Sequence, residues 1–248
     1  MELKAVVLAA GKGTRLQTEG ITLPKVMRQA AGQPLLGYVL DALSFIPKED
    51  IVLVVGYRRE DVEKAYPDYP AAVQEEQLGT GHAVQCAAAH LQGFDGSVLV
   101  CCGDMPLMKK ETYEALCRTH MEEGNVCTIL SGTSEEELPY GRVIRDENGQ
   151  FVKIVEDKDC TPEEKAVREL NSAVYLFRAP ELLEALGHLR CDNAQGEYYL
   201  TDVPGWLLER GGKVGLCCSC TPEEMLGVNT PAQLELVEQI VAQRRENQ

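Results

Sequence analysis

Along the chain, short runs that are apolar at every position alternate with longer stretches in which apolar residues recur every three or four positions. KAVVLA, DIVLVVG, GSVLVCCGD and VCTILSG predict buried strands, and PLLGYVLDALSFI, REDVEKAY, GHAVQCAAAHL and KKETYEALCRTHMEEG between them predict helices. Strands without a polar face need cover on both sides. The pattern therefore predicts an α/β fold, a Rossmann-like, mostly parallel sheet flanked by helices. Such sheets bind ligands beyond the carboxyl ends of their strands. The glycine loop after the first strand and Asp104 after SVLVCCG both fall at that edge.

From about Tyr140 the elements shorten. YGRVIRD and GQFVKIVE, joined by DENG, predict a hairpin. TPEEKAVREL predicts a capped helix, SAVYLF a strand, EYYLTDVPGWLLERG a helix, and TPAQLELVEQIVAQRRENQ a closing helix entered through Thr230 and Pro231. The expected organisation is a single 1–248 unit: a nucleotide-binding half to about residue 138, and a sugar-binding half with the C-terminal helix from about 139, built onto the same sheet. No internal repeat or low-complexity tract is present.

Composition narrows the function. With 44% hydrophobic and 25% charged residues the chain is an ordinary globular protein, and no apolar run approaches the length of a membrane span. AVVLAA leads into a glycine turn instead of a cleavage site, so a cytoplasmic protein without a signal peptide is expected. The ten cysteines are scattered and several lie inside apolar runs, which predicts free thiols. Cys217, Cys218 and Cys220 lack the paired spacing of a zinc site. A net charge of −15 argues against nucleic-acid or anionic-membrane partners. Against that background Lys4, Lys12, Arg15, Lys25 and Arg28 face only Glu2 and Glu19 in the first 28 residues. A local basic site in an acidic protein suits a small phosphorylated ligand.

GKGTRL satisfies neither of two common phosphate motifs. A dinucleotide fingerprint needs glycine where Leu16 stands, and a P-loop needs four residues between its glycine and its Gly-Lys pair. Glycines nevertheless let backbone N–H groups converge on phosphate oxygens, and Arg15 and Lys25 can add charge-assisted hydrogen bonds. A structural turn with solvated cations is the plain alternative.

The longer pattern LAAGKGTRL…LPKVM resembles the signature of the sugar-phosphate nucleotidyltransferases, with a fold of the nucleotide-diphospho-sugar transferase type. QEEQLGTGHAV, GDMPL, YGRVIR, VEDKD, ELN, NAQGEYYLTD and GVN extend the likeness, in order, from about residue 3 to 235. Together they resemble the uridylyltransferase domain of the bacterial bifunctional N-acetylglucosamine-1-phosphate uridylyltransferase/glucosamine-1-phosphate acetyltransferases. The resemblance implies an enzyme that takes UTP and a sugar 1-phosphate with Mg²⁺ and releases pyrophosphate. It places Ala9, Ala10, Gly11 and Gly13 around the nucleotide, Arg15 and Lys25 on the phosphates as the catalytic cations, and Gln74, Gly79 and Thr80 against uracil. Asp104 and Asn229 become the magnesium ligands, with Asp104 also beside the nucleotide. Tyr140, Gly141, Glu156, Asn171, Tyr199 and Thr201 fall on the sugar side. His82 reads as structural, because a phosphate nucleophile is already ionised and needs no strong base.

Departures from the resembled pattern bear on sugar choice. Cys102 stands where tyrosine is usual, Ala173 where glycine is usual, and Leu226 where glutamate is usual; the loop between Arg15 and Lys25 is about three residues longer. Ala173 and Cys102 are expected to reshape the sugar pocket. The resembled enzymes continue past residue 248 into a β-helix that carries acetyl transfer and the trimer, so a stand-alone transferase is expected here. Another sugar 1-phosphate, another pyrimidine nucleotide, and a non-catalytic nucleotide-sugar-binding subunit stay open as alternatives.

Overall fold

The first strand, β1 (Leu3–Leu8), takes a central place because its neighbours on both sides are apolar strands that bury it completely at Ala5, Val6 and Val7. The computed structural model describes residues 2–16 and 22–246. After β1 come a small ribbon, β2 (Gln29–Ala30) and β3 (Gln33–Pro34), then α1 (Leu35–Ala42), β4 (Ile51–Val55), α2 (Arg59–Ala65), β5 (Ala71–Val73), α3 (Thr80–Cys86), β6 (Ser97–Cys102), α4 (Lys110–Glu123) and β7 (Cys127–Thr133). The second half adds β8 (Arg142–Arg145), β9 (Phe151–Val155), α5 (Pro162–Lys165), β10 (Glu169–Arg178), α6 (Ala179–Leu186), α7 (Asp202–Glu209), β11 (Val214–Cys218) and α8 (Pro231–Glu246).

Among the described residues the main sheet runs β11-β7-β10-β6-β1-β4-β5. Pairings are parallel from β6 through β1 and β4 to β5 and between β7 and β11, while β10 is antiparallel to both neighbours. The sheet is mixed but mostly parallel, as the alternating pattern of the chain predicts. β4 is buried at all five positions, as a strand covered on both faces must be. Each such Val, Ile or Leu contributes about 1.5–3 kcal/mol by leaving water. The hairpin β8/β9 branches from β10 through the Leu170–Arg142 pairing. Its turn is held by Asp146, whose carboxylate accepts the N–H groups of Asn148 and Gln150 at 2.9 and 2.8 Å.

Several predicted helices are shorter than their periodicity suggested. TPEEKAVREL forms the expected capping box between Thr161 and Glu164, yet α5 ends at Lys165, because Glu169 and the residues after it are drawn into the central sheet. EYYLTDVPGWLLERG is helical only from Asp202, since Tyr198 is bonded to Leu78 and Gly81 instead. The helix of GHAVQCAAAHL ends at Cys86 and passes into a 3₁₀ turn at Ala88–His90. α8 starts as predicted: Thr230 Oγ1 accepts from Gln233 N–H at 3.3 Å while Gln233 Oε1 accepts from Thr230 N–H at 3.0 Å. No helix among the described residues is long and apolar enough to cross a membrane. All ten cysteines are free, and five, including Cys217 and Cys220, are buried.

Candidate active site

β1 and β6 deliver their next residues to one point. The Leu8–Cys102 pairing is continued by Gly103 N–H to the Leu8 carbonyl at 2.9 Å, so the glycine loop and Asp104 emerge side by side at the carboxyl edge. Ala9 and Ala10 are buried and tied to the adjoining strand: Ala9 N–H donates to Val54 at 2.8 Å, and the Ala10 carbonyl accepts from Tyr57. Among the described residues nothing accepts a hydrogen bond from the N–H groups of Gly11, Lys12 or Gly13. Three successive unclaimed donors at a strand-to-loop edge are the raw material of an anion site. Gly13 has φ +62°, and a Cβ there would come within 2.7 Å of Lys25 Cβ, so the absence of a side chain lets the loop lie against Lys25.

Lys25 is the hub of the charged edge. Its Nζ forms an ion pair with Asp104 and donates to Asn229 Oδ1 at 2.8 Å, and Arg15 Nη2 approaches the same Asn229 oxygen at 3.4 Å. Asn229 arrives from the loop after β11, and that loop is fixed by Val228 N–H donating to the Asp104 carbonyl at 3.0 Å. One ammonium thus touches a carboxylate and an amide oxygen at once, which shows that the two oxygens converge on a point a cation can occupy. No group of three or more His, Cys, Asp or Glu that could hold a metal is found among the described residues. A two-oxygen donor set fits a hard cation that keeps most of its water and takes further ligands from phosphates.

A cavity of about 330 Å³ opens beside this edge, lined by Ala10, Gly11, Lys25, Gln74, Gly79, Thr80 and Asp104 among others. Gln74, at the end of β5, is buried; its Nε2 donates to the Gly79 carbonyl at 3.2 Å and lies 3.1 Å from His82 Nδ1. His82 thereby supports Gln74, in keeping with the structural place expected for it. Gly79 (φ +110°) opens α3, where a Cβ would strike the Tyr198 carbonyl at 2.6 Å. That contact belongs to a stitched pair of segments: Tyr198 N–H donates to Leu78, Gly81 N–H to Tyr198, and Leu200 N–H to Thr80 Oγ1 at 3.1 Å.

Glu156, Tyr199 and Thr201 line a second cavity of about 510 Å³ with Asp159 and Asp202. Thr201 donates to Glu156 at 3.0 Å, and Tyr199 donates to Asp159 at 3.3 Å. Burial pushes the Glu156 carboxyl above its usual range, and the nearby acids add to the shift despite the Thr201 bond. Tyr140, Gly141 and Asn171 line neither cavity. The Tyr140 hydroxyl donates to the Met225 carbonyl at 3.0 Å and accepts from Gly227 N–H, bracing the loop that carries Asn229. Asn171 is buried; its Nδ2 donates to Tyr175 Oη at 2.7 Å and its Oδ1 accepts from Ala173 N–H, while its own N–H donates to the Gly141 carbonyl.

The two expected departures separate. Cys102 does line the first cavity, and burial, with Asp104 beside it, pushes its thiol well up. Neither residue lines the second cavity, and Ala173 does not line the first. Ala173 sits in left-handed backbone, φ +56°, at the bulge of β10 between Asn171 and Val174. Glycine is usual there for conformational reasons. The length difference between Arg15 and Lys25 lies outside the described residues. Sequence reasoning passed over Gln77 and Glu197, which also line the first cavity. No local signal marks Glu197, because only the long-range pairing of its neighbours with residues 78–81 brings it there.

The chain is 47% identical over 246 residues to "Bifunctional protein GlmU" of Clostridium novyi, covering 98% of this chain and 53% of that protein. The proteins of the same name from Lactobacillus delbrueckii subsp. bulgaricus (45%, covering 100% of this chain and 53% of that one) and Streptomyces coelicolor (43%, 96% and 50%) are similarly related. The chain spans about half the length of these curated relatives. Residues 5–200 match the MobA-like NTP transferase domain. With the glycine loop, the cationic edge and Asp104 all inside the matched span, the chain belongs to the MobA-like NTP transferase domain family.

Proposed function

We propose that this protein transfers the uridylyl group of UTP to N-acetylglucosamine 1-phosphate, forming UDP-N-acetylglucosamine and pyrophosphate. The observation that carries the reading is the meeting of Lys25, Arg15, Asp104 and Asn229 beside three unclaimed loop N–H groups. The relatives named above support it. A sugar phosphate oxygen attacks the α-phosphorus, the bond from that phosphorus to the bridging oxygen breaks in line, and pyrophosphate leaves. Two anions must meet, so the chain's task is to neutralise and align them. The N–H groups of residues 11–13 and the Arg15 guanidinium take phosphate oxygens, and Lys25 exchanges its Asp104 and Asn229 partners for phosphate as charge develops. Gln74, Gly79 and Thr80 form the wall for uracil, a primary amide offering both a donor and an acceptor to its edge. Glu156, Tyr199 and Thr201 meet the sugar hydroxyls, while Tyr140 serves the site by bracing the loop that carries Asn229, and Asn171 holds the adjoining Gly141.

Asp104 and Asn229 would hold a Mg²⁺ ion, which when bound neutralises charge on the phosphates. Screening nucleoside triphosphates against sugar 1-phosphates for pyrophosphate release tests the proposal. UTP with N-acetylglucosamine 1-phosphate should give the highest kcat/KM, and a chelator should abolish turnover until Mg²⁺ is restored. Release with no sugar phosphate dependence, or a clear preference for another pair, would refute it.

A further inference from the structure

We infer that Glu224 is a positioning residue for the Asp104–Asn229 pair, setting their separation by tying together the two chain segments that carry them. The inference rests on the metal-binding role proposed for that pair. Glu224 is 1% exposed and touches none of the groups assigned to substrate. One of its oxygens, Oε1, accepts from Lys109 N–H at 3.2 Å and from the Thr112 hydroxyl. The other, Oε2, accepts from Thr221 N–H at 3.1 Å and from the Thr221 hydroxyl at 2.9 Å. The first oxygen grips the start of α4, which follows Asp104 through a short connection; the second grips the turn that opens the loop leading to Asn229.

Everything between those anchors is held in place by the same small set of bonds. Past Glu224, Met225 and Gly227 are fixed by the Tyr140 hydroxyl, Val228 by the Asp104 carbonyl, and Asn229 by Lys25. Removing the carboxylate would leave the loop joined to the Asp104 segment by the Val228 bond, by Lys25 between Asp104 and Asn229, and by Arg244, which pairs with Glu223 and donates to the Leu107 carbonyl at 3.0 Å. The Glu224 carboxylate is itself buried, and all four of its bonds are charge-assisted. The chemistry at this position is exacting. Glutamine would turn an amide N–H₂ toward a backbone N–H that can only donate, even where the neighbouring threonine hydroxyl can turn to accept, and aspartate is one methylene too short to reach both anchors. Groups that hydrogen-bond a metal ligand directly change metal affinity by about 10- to 100-fold when removed; Glu224 bonds the segments and not the ligands, so its effect should be smaller, a few-fold.

The test uses the whole chain with Mn²⁺ as the probe in place of Mg²⁺, its binding in the presence of UTP followed by water-proton relaxation and its folding by thermal unfolding. Glu224→Gln should raise the Mn²⁺ concentration for half-saturation by about three- to ten-fold and lower kcat, while KM for UTP stays within about two-fold. Thr221→Ala, which keeps the carboxylate and removes one loop-side donor, should give a smaller shift in the same direction and keeps the proposal testable if Glu224→Gln does not fold. Thr161→Ala, which removes the α5 cap and none of the contacts of Glu224, Asp104 or Asn229, serves as the stability control and should leave Mn²⁺ binding unchanged. Wild-type Mn²⁺ affinity in both Glu224→Gln and Thr221→Ala, whatever their melting temperatures, would overturn the positioning role and leave the metal reading intact. Normal Mn²⁺ binding by Asp104→Asn would instead overturn the metal reading, and the positioning role with it.

Discussion

Replacing Ala173 by glycine should stabilise the protein without touching catalysis. The residue has φ +56°, where an L side chain crowds the following carbonyl, at a cost of about 1–2 kcal/mol. Glycine removes that cost but widens the unfolded ensemble, which takes back about 0.4–1 kcal/mol. The surplus is about 0–1.6 kcal/mol, centred on about 0.8. For a chain of this size the central value corresponds to a rise in melting temperature of about 2–3 °C. Urea unfolding at neutral pH measures it directly: the midpoint should rise at unchanged slope, since the surface exposed on unfolding barely changes. Ala173→Val, adding β-branching to the same backbone, should move the midpoint the other way. Because Ala173 lines neither cavity, KM for the sugar phosphate and for UTP should each stay within about two-fold, or about 0.4 kcal/mol. A lower midpoint for the glycine variant would show that the β10 bulge is not strained, and a selective change in sugar KM would put the residue back in the pocket.

Lys25→Ala and Arg15→Ala should each lower kcat by about 10² or more in a pyrophosphate-release assay, through lost charge stabilisation in the transition state; near-normal turnover in both would remove the charged edge from the mechanism. Gly79→Ala should weaken nucleotide binding and stability together, because its methyl would meet the Tyr198 carbonyl at 2.6 Å; calorimetric titration with UTP checks it. His120 is buried against Thr128, and burial, with Arg178 nearby, lowers its pKa to about 4 from 6.5. It is neutral in both folded and unfolded chains above about pH 6.5, and as pH falls the unfolded chain protonates first. Stability should therefore drop between pH 6.5 and 4 by up to roughly 3 kcal/mol from this residue, and His120→Gln should flatten that part of a urea-midpoint profile.

How much could be seen in the sequence depended on whether the deciding contact was local. IVLVV is buried at every position as its composition demanded, and the caps at Thr161 and Thr230 and the turn at Asp146 formed as written, because each is settled within a few residues. α5 was overpredicted because the sheet competes for the residues after Lys165, and no helical period records that competition. In the site, the resemblance supplied Lys25, Asp104 and Asn229, but their mutual contact is a product of topology. The left-handed backbone of Ala173 went unseen because a backbone angle, unlike a side-chain volume, is invisible in a letter. Glu224 went unnoticed because its partners Lys109 and Thr112 are remote in the chain.

The place of β10 in the sheet has a consequence for how the chain is made. β6 and β7 leave the ribosome long before β10, the strand that must lie between them, so during synthesis both present unpaired backbone edges with apolar faces. The nascent chain cannot close its sheet until Arg178 has emerged, and β11 then has to dock on β7 from the far side. Pairings so distant in sequence form slowly and late. A ribosome stall or proteolytic cut between β7 and β10 would thus release a sticky intermediate instead of a working nucleotide-binding fragment, and this protein should depend on chaperone holding in that interval more than its ordinary size suggests.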